Sequence, residues 1–352
     1  MATLASATPS SPGSAIRACP AAVSVWLLAV AALVFVMVVV GGITRLTESG
    51  LSIVRWDVVS GTLPPLTEAA WQAEFRAYQA SSQYQLMNRG MSLSDFKGIF
   101  FWEYVHRLLG RLIGLAFALP LAVFWLRGQI PPGYKPRLLA LLALGGLQGA
   151  IGWWMVSSGL VGRTEVAHSR LAVHLTTALV IMAGCIWTAL DLRRAPAPAP
   201  MSRPHRWVLP FALLLAVQII WGAFTAGLRA GHASSTWPLM LGQLVPSGLV
   251  QQASDLVDSP IAVHFLHRTL AWAVAAVALL VSARLWQAGS RREAGTLAAA
   301  VSLQFVLGVL TVINGVPIGL GVAHQAGGAL LVGASVWAAH WAKQGRSKGY
   351  RT

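Results

Sequence analysis

Eight apolar stretches, separated by polar loops, dominate the chain. Each has about 20 residues, which at a rise of about 1.5 Å per residue lets a helix cross a hydrocarbon layer of about 30 Å. Only 11% of the 352 residues are charged, against about 25% in ordinary soluble domains. The sequence therefore predicts an all-α membrane protein and excludes a soluble globule. The predicted spans are 22–43, 99–125, 138–156, 171–190, 207–228, 261–283, 296–314 and 323–342.

The distribution of charge predicts the orientation of these spans. If the N-terminus is inside, the inner segments carry 15 of the 26 Lys and Arg residues and only two carboxylates. The outer segments then carry eight cations and eight carboxylates. The positive-inside rule therefore places both termini in the cytoplasm. Topology accounts for the net charge of +15, so nucleic acid is not an expected partner. The first span is long and lacks a cleavage site close behind it, so we expect a retained helix.

The connections between the spans divide the chain further. We expect tails at 1–21 and 343–352, bundles at 22–190 and 207–342, and a Pro-rich inner linker at 191–206. The long connections, 44–98 and 229–260, are both outside, and long loops are where function concentrates. In the first of them Thr67 caps a predicted amphipathic helix with Trp71, Phe75 and Tyr78 on one face. We expect this helix to lie at the membrane surface.

Three features recur in the two halves in the same order. The pattern LQxxxGxxxxxxG begins at Leu147 and again at Leu303, a His-Arg pair stands in the second and sixth spans, and a histidine opens the fourth and eighth. The separations between equivalent positions lie between 150 and 161 residues. We therefore predict a duplication, giving eight transmembrane helices as two tandemly repeated four-helix bundles.

Four histidines lie near the outer ends of these spans, two in each predicted bundle. The pairs are His106 with His174 and His267 with His324. Because two neutral imidazoles on facing helices can clamp one flat macrocycle, we predict one haem-sized site in each bundle. Any one of these histidines alone is equally compatible with a hydrogen-bonded side chain at a helix end.

Arginines follow two of the four histidines directly. Arg107 and Arg268 are costly to bury without an anion, and haem propionates would supply carboxylates that a guanidinium binds in a bidentate manner. His264 shares a helix face with His267, and its role stays open. The other histidines receive a structural interpretation: His168, His205, His232 and His340.

Other uses of the histidines fit less well. A catalytic zinc site needs three protein ligands in one shell, whereas these histidines are divided between two bundles. A transporter with a proton pathway would place carboxylates in several spans, but only Glu103 lies in the apolar layer. Cys19 and Cys185 are too far apart in context for a disulfide framework or a thiolate metal site.

Glu103 distinguishes the two predicted sites. It stands three residues before His106 on the same helix face, and the equivalent position in the second half is His264. A carboxylate beside a haem could accept protons or act as a base for water. The alternative is an ion pair with Arg107 or with a loop arginine. We therefore expect a reactive first bundle and a second bundle whose cofactor serves electron transfer or structure.

Several segments resemble one family closely. They are Gly41-Gly-Ile-Thr-Arg-Leu-Thr47, Trp71 to Gln79, Met91 to Phe100, Glu103-Tyr-Val-His-Arg-Leu-Leu-Gly-Arg111 and Arg170-Leu-Ala-Val-His174. With His267-Arg268 and His324-Gln325, they make the chain similar to haem A synthase of the mitochondrial and Gram-negative type. Some members have a cysteine pair in an outer loop, which this chain lacks.

The resemblance implies oxidation of the C8 methyl group of haem O to a formyl group, giving haem A for terminal oxidases. It implies that His106 and His174 flank the substrate haem, that His267 and His324 ligate the iron of a haem b, and that Glu103 is the essential carboxylate. It also implies the bacterial inner membrane, with membrane lipid, a haem O synthase (a farnesyltransferase) and an electron-transfer protein as partners. The alternative function is a di-haem b electron carrier, such as a quinol-oxidising cytochrome.

Overall fold

A computed structural model describes residues 18–55, 60–193 and 205–344. Within these ranges eleven α-helices form and no strand does. Eight of the helices are long and apolar enough to span a membrane, which confirms the predicted fold class. They are α1 (Pro20–Leu46), α4 (Leu93–Leu126), α5 (Lys135–Ser157), α6 (His168–Leu192), α7 (His205–Gly227), α9 (Pro260–Gln287), α10 (Arg291–Ile313) and α11 (Ile318–Gln344). The short ones are α2 (Glu68–Gln79), α3 (Ser82–Leu86) and α8 (Asp255–Asp258).

Several long helices extend beyond the predicted spans. The helix α4 begins at Leu93, six residues before the predicted 99, because a capping box starts it. Ser92 Oγ accepts the amide of Asp95 at 3.1 Å, and the Asp95 carboxylate accepts the amide of Ser92 at 3.4 Å. Hydropathy marks only the apolar part of a helix, so the polar first turns were missed.

The eight long helices pack together in one assembly. By their order in the chain we call α1, α4, α5 and α6 the N-terminal group, and α7, α9, α10 and α11 the C-terminal group. Contacts of α1 with α11 and of α6 with α7 and α11 join the groups, and one continuous apolar core runs through both. The tandem repeat and the domain boundaries stay predictions. Most of the predicted linker and of both tails lies outside the described residues.

The predicted amphipathic helix is present and packs on protein. Thr67 Oγ1 accepts the amide of Ala70 at 3.2 Å and begins α2. The buried side chains of Phe75 and Tyr78 on its apolar face contact the ring of Phe96 from the extension of α4. The extension, which hydropathy does not reveal, supplies the surface that covers this face. The position of α2 at the membrane surface stays a prediction.

Ion pairs join the two groups at the end of the bundle that carries the long loops, here called the loop end. Arg45 Nη2 lies 2.7 Å from Glu165 Oε2 and donates to the carbonyls of Ala226 and Gly227 at 3.0 and 3.3 Å. Arg229 contacts Glu48 at 2.6 Å and also pairs with Glu165. We call Arg45, Glu48, Glu165 and Arg229 the loop-end clasp.

A second polar contact between the groups lies at the opposite end, the tail end. Asp191 of α6 accepts from Arg137 of α5 at 2.6 Å and lies 2.8 Å from Nε2 of His340 on α11. His340 is completely buried. The structural interpretation of this histidine therefore agrees with its position.

Candidate haem sites

The four predicted histidines lie on α4, α6, α9 and α11, each of which begins at the loop end. In the C-terminal group the ring centres of His267 and His324 lie 6.3 Å apart, with the ring planes at 86°. In the N-terminal group His106 lies against Gly41 of α1, and His174 lies against Gly152 of α5. The structure thus brings His267 and His324 together and places His106 and His174 in the same helix group.

The spacing of the second pair suits a shared metal atom. Imidazole nitrogens coordinate a metal at about 2 Å, so two rings on opposite sides of one atom have centres about 6 to 6.5 Å apart. The 6.3 Å between His267 and His324 falls in that interval. The spacing would therefore let these two residues hold one haem iron between them.

Each of the four histidines rests on a glycine of a neighbouring helix. A Cβ atom added to that glycine would lie 2.9 to 3.1 Å from the Cε1 atom of the ring. The pairs are His106 on Gly41, His174 on Gly152, His267 on Gly222 and His324 on Gly308. We call these glycines the ring seats. At Gly152, Gly222 and Gly308 the added Cβ would also lie 3.5 Å from the Nδ1 atom of the ring and 3.7 to 3.9 Å from its Nε2 atom.

A glutamine stands one helical turn before three of the seats, and sequence reasoning recognised only part of this pattern. Gln148 and Gln304 belong to the predicted repeat motif, whereas Gln218 before Gly222 was missed. Gln148 Nε2 donates to the backbone carbonyl of His174 at 2.9 Å and lies 3.2 Å from its Nδ1. The signal that could have found the seats is QxxxG, which occurs in α5, α7 and α10.

The Glu103 carboxylate is buried and fully engaged. Its Oε2 atom accepts from Ser52 Oγ at 2.7 Å and from the Ile53 amide at 2.8 Å. Its Oε1 atom accepts from Arg107 Nη2 at 2.7 Å and from Nε at 3.1 Å. The ion pair considered in the sequence analysis is therefore present, and this carboxylate is not isolated. These four hydrogen bonds fix the orientation of the carboxylate.

The two arginines that follow the histidines hold the two long loops in similar ways. Besides its bonds to Glu103, Arg107 donates to the carbonyls of Ile53 and Arg55 at 2.6 and 2.7 Å. Arg268 Nη2 lies 2.9 to 3.3 Å from the carbonyls of Thr236, Pro238 and Leu239. Arg268 Nη1 is buried without a hydrogen-bond partner, so it retains donors for an anion.

A cavity of about 270 Å³ adjoins Arg107 between α4 and the segment before α2. Its cationic lining comes from Arg55, Arg107 and Arg111, and Glu74 is its one carboxylate among the described residues. Phe100 and Leu63 contribute apolar walls. The cavity therefore combines a cationic wall with apolar ones.

Two further histidines lie near the loop end, outside the predicted pairs. His168 lies 3.2 Å from Asp258, and His264 is buried with its Nδ1 atom unpaired. Within the described ranges, no group of three or more His, Cys, Asp or Glu residues is arranged to hold a metal ion. Cys19 and Cys185 form no disulfide.

Comparison with known proteins identifies the family. The family profile COX15-CtaA, described as cytochrome oxidase assembly protein, matches residues 24–336. The chain belongs to this family. It is 49% identical over 342 residues to heme A synthase of Novosphingobium aromaticivorans, covering 94% of this chain and 97% of that protein.

Two further relatives carry the same name. Heme A synthase of Rhodospirillum centenum is 50% identical over 334 residues, with 92% of this chain and 89% of the relative covered. Heme A synthase of Erythrobacter litoralis is 51% identical over 325 residues, with 90% and 95% covered. The chain is therefore a multi-pass membrane enzyme of haem A biosynthesis, and the predicted family is confirmed.

Proposed function

We propose that this protein is a haem-dependent membrane oxidoreductase that oxidises the C8 methyl group of haem O to the formyl group of haem A. The observation that carries the proposal is the pair of ring-seated histidines in each helix group. The buried carboxylate of Glu103 stands one helical turn before His106 on α4, whereas His264 occupies the equivalent position before His267 on α9. That asymmetry supports a reactive first site and a non-reactive second one.

In the first site His106 and His174 would hold the substrate haem between α4 and α6. Their seats on Gly41 and Gly152 fix the ring positions from behind. Gln148 adds a hydrogen bond on the His174 side. The role of these residues is to bind and orient the macrocycle, since a small displacement of a reacting group is costly in rate.

The chemistry of the substrate balances with water as the oxygen source. Each of two hydroxylations adds the oxygen of one water to the methyl carbon and releases two electrons and two protons. The dihydroxymethyl group then loses water to give the formyl group. We propose that Glu103 orients the water and accepts protons, while the electrons pass one at a time to a redox partner in the membrane.

In the second site His267 and His324 would hold a haem b. The fit rests on their 6.3 Å separation and on the unpaired Arg268 Nη1, which can bind a propionate. When bound, haem b supplies one-electron redox chemistry. Propionate binding by Arg107 is also proposed, although four of its hydrogen bonds already go to Glu103 and the loop.

The proposed setting is the bacterial inner membrane, with both termini in the cytoplasm and the histidine sites near the periplasmic face. The substrate would arrive from a haem O synthase within the same lipid phase. The exchange of such an apolar substrate through lipid suits a site between membrane helices.

The decisive experiment supplies haem O to the purified protein and identifies the porphyrin products by mass. The wild type should yield haem A. Glu103→Gln should lower conversion by about 100-fold or more, the range for loss of a general base, while haem still binds. Glu68→Gln is the matched control, because that carboxylate is exposed on α2.

Normal conversion in Glu103→Gln would show that the carboxylate has no part in the reaction. Replacement of His267 or His324 should remove stably bound haem b, whereas replacement of His106 should mainly abolish turnover. Equal loss of pigment in all these variants would contradict the division between the two sites.

A further inference from the structure

Two consecutive glycines of α1 contact the two different histidine sites. Gly41 is the seat of His106, with its added Cβ 3.1 Å from the ring. Gly42 lies against Gln325, which follows His324 directly on α11. Successive residues of a helix project about 100° apart, so one dipeptide can meet two neighbouring helices. The helix α1 accordingly contacts both α4 and α11.

The contact at Gly42 is close and specific. An added Cβ would lie 3.2 Å from each of the Cδ, Nε2 and Oε1 atoms of Gln325, so the carboxamide lies flat on the glycine. Its Nε2 atom also donates to the carbonyl of Val38 at 2.6 Å. Inside a membrane a side-chain amide needs such a protein partner, because lipid offers none.

This contact crosses from one helix group to the other. Val38 and Gly42 belong to the N-terminal group and are buried, whereas Gln325 belongs to the helix that carries His324. A side chain held on both its face and its amide cannot move without moving its own backbone. The backbone of Gln325 is continuous with that of His324, so the contact fixes where α11 presents its histidine.

We propose that Gln325 is a positioning residue for the second site, and that Gly42 and Val38 of α1 hold it so that the first helix sets the geometry of both histidine pairs. The proposal rests on the proposed function, because it takes His267 and His324 as the ligands of haem b. Gln325 acts through His324 and does not itself touch the iron.

Gly41 and Gly42 form a matched pair of test sites on one helix. In Gly42→Ala the new methyl group meets the Gln325 carboxamide, so we expect a shifted paramagnetic resonance spectrum and midpoint potential of haem b. In Gly41→Ala the methyl group meets His106 instead, so haem b should keep its wild-type signals. Both readouts depend on the axial ligands and do not require turnover.

Two further variants distinguish a specific effect on haem b from misfolding of the protein. Gln325→Leu inserts no volume at α1 but removes the hydrogen bond to Val38, and it should shift the same haem b signals. Combining Gly42→Ala with Gln325→Ala removes the clash, so the double variant should give the same haem b signals as Gln325→Ala alone.

Unchanged haem b signals in both Gly42→Ala and Gln325→Leu would overturn the proposal. Equal shifts in Gly41→Ala and Gly42→Ala would do the same, because they would indicate a general disturbance of α1. If the wild type binds no haem at His267 and His324, the proposed function itself fails. Spectra of His267→Ala distinguish that case.

Discussion

At the scale of single residues, we expect that a methyl group added to a ring seat strongly lowers haem binding. In Gly308→Ala the new Cβ would lie 2.9 Å from Cε1 of His324, so the ring must move. Displacement of a metal ligand through its supporting shell typically costs about 10- to 100-fold in affinity, so haem b per protein should fall in that range. Pigment extraction from purified protein measures it.

Gly295→Ala on the same helix is the control, because nothing lies within 4 Å of the added Cβ. Alanine favours the helical backbone over glycine by about 1 kcal/mol, so neither variant should weaken α10 itself. Equal haem content in the two variants would refute the role of the seat.

The histidines were within reach of sequence reasoning, but their seats were not. A histidine in an apolar span is conspicuous because it is costly there, and the repeat related the four to one another. Glycines are common in such spans, and the sequence does not show which side chain a given glycine contacts. The partners of Glu103 were only half foreseen, since Arg107 is local in sequence whereas Ser52 and Ile53 come from a loop about 50 residues away.

At the scale of elements, the docking of α2 on α4 should depend on pH. Burial raises the pKa of the Tyr78 hydroxyl, which donates to Gln83 Oε1 at 3.0 Å and accepts from Asn88 at 2.7 Å. The docked state therefore favours neutral tyrosine. Its stabilisation is complete below the unfolded pKa of about 10 and is lost as the pH rises through the raised value.

Hydrogen exchange of residues 68–79 should therefore accelerate above about pH 10 beyond the ordinary chemical increase, relative to a helix without a buried tyrosine. Tyr78→Phe should expose α2 somewhat at neutral pH, because Gln83 and Asn88 lose a partner, and should remove the additional alkaline effect. The same alkaline acceleration in Tyr78→Phe would assign it to another group.

The hydropathy pattern predicts the apolar part of each long helix but not its full length. Hydropathy located every long helix, because an apolar stretch of that length has few alternatives in a membrane. It could not show that α4 continues outward to Leu93, since Ser94, Asp95 and Lys97 interrupt the apolar residues of that segment. The capping box at Ser92 was the available signal.

At the scale of the whole molecule, the charge distribution predicts which end of the bundle faces the cytoplasm. In a variant lacking Cys19 and Cys185, a cysteine at Val161 of the loop end should react with a membrane-impermeant maleimide in intact spheroplasts. A cysteine at Arg292 of the tail end should react only after permeabilisation. Both positions are exposed, so the reverse pattern would invert the topology.

How the two helix groups pack together could not be predicted. Lipid and protein are equally apolar around a membrane helix, so helical periodicity does not tell a lipid-facing side from a protein-facing one. The contacts that join the groups depend on small residues and isolated polar ones. Gly227 of α7 is the clearest case, because an added Cβ would lie 2.5 Å from Cβ and 2.8 Å from Cα of His168 on α6.

Gly227→Ala should therefore separate the two groups at the loop end. The opposing atoms include backbone, so no side-chain rotation relieves the clash, and overpacking of this kind costs about 1–3 kcal/mol or more. The separation would also lengthen the bonds from Arg45 to the carbonyls of Ala226 and Gly227, weakening the loop-end clasp. We expect a lower midpoint of thermal unfolding in detergent than for wild type.

Gly145→Ala is the control, because the added Cβ meets nothing within 4 Å, and it should leave the midpoint unchanged. An equal midpoint for both variants would show that the groups are not held together at Gly227.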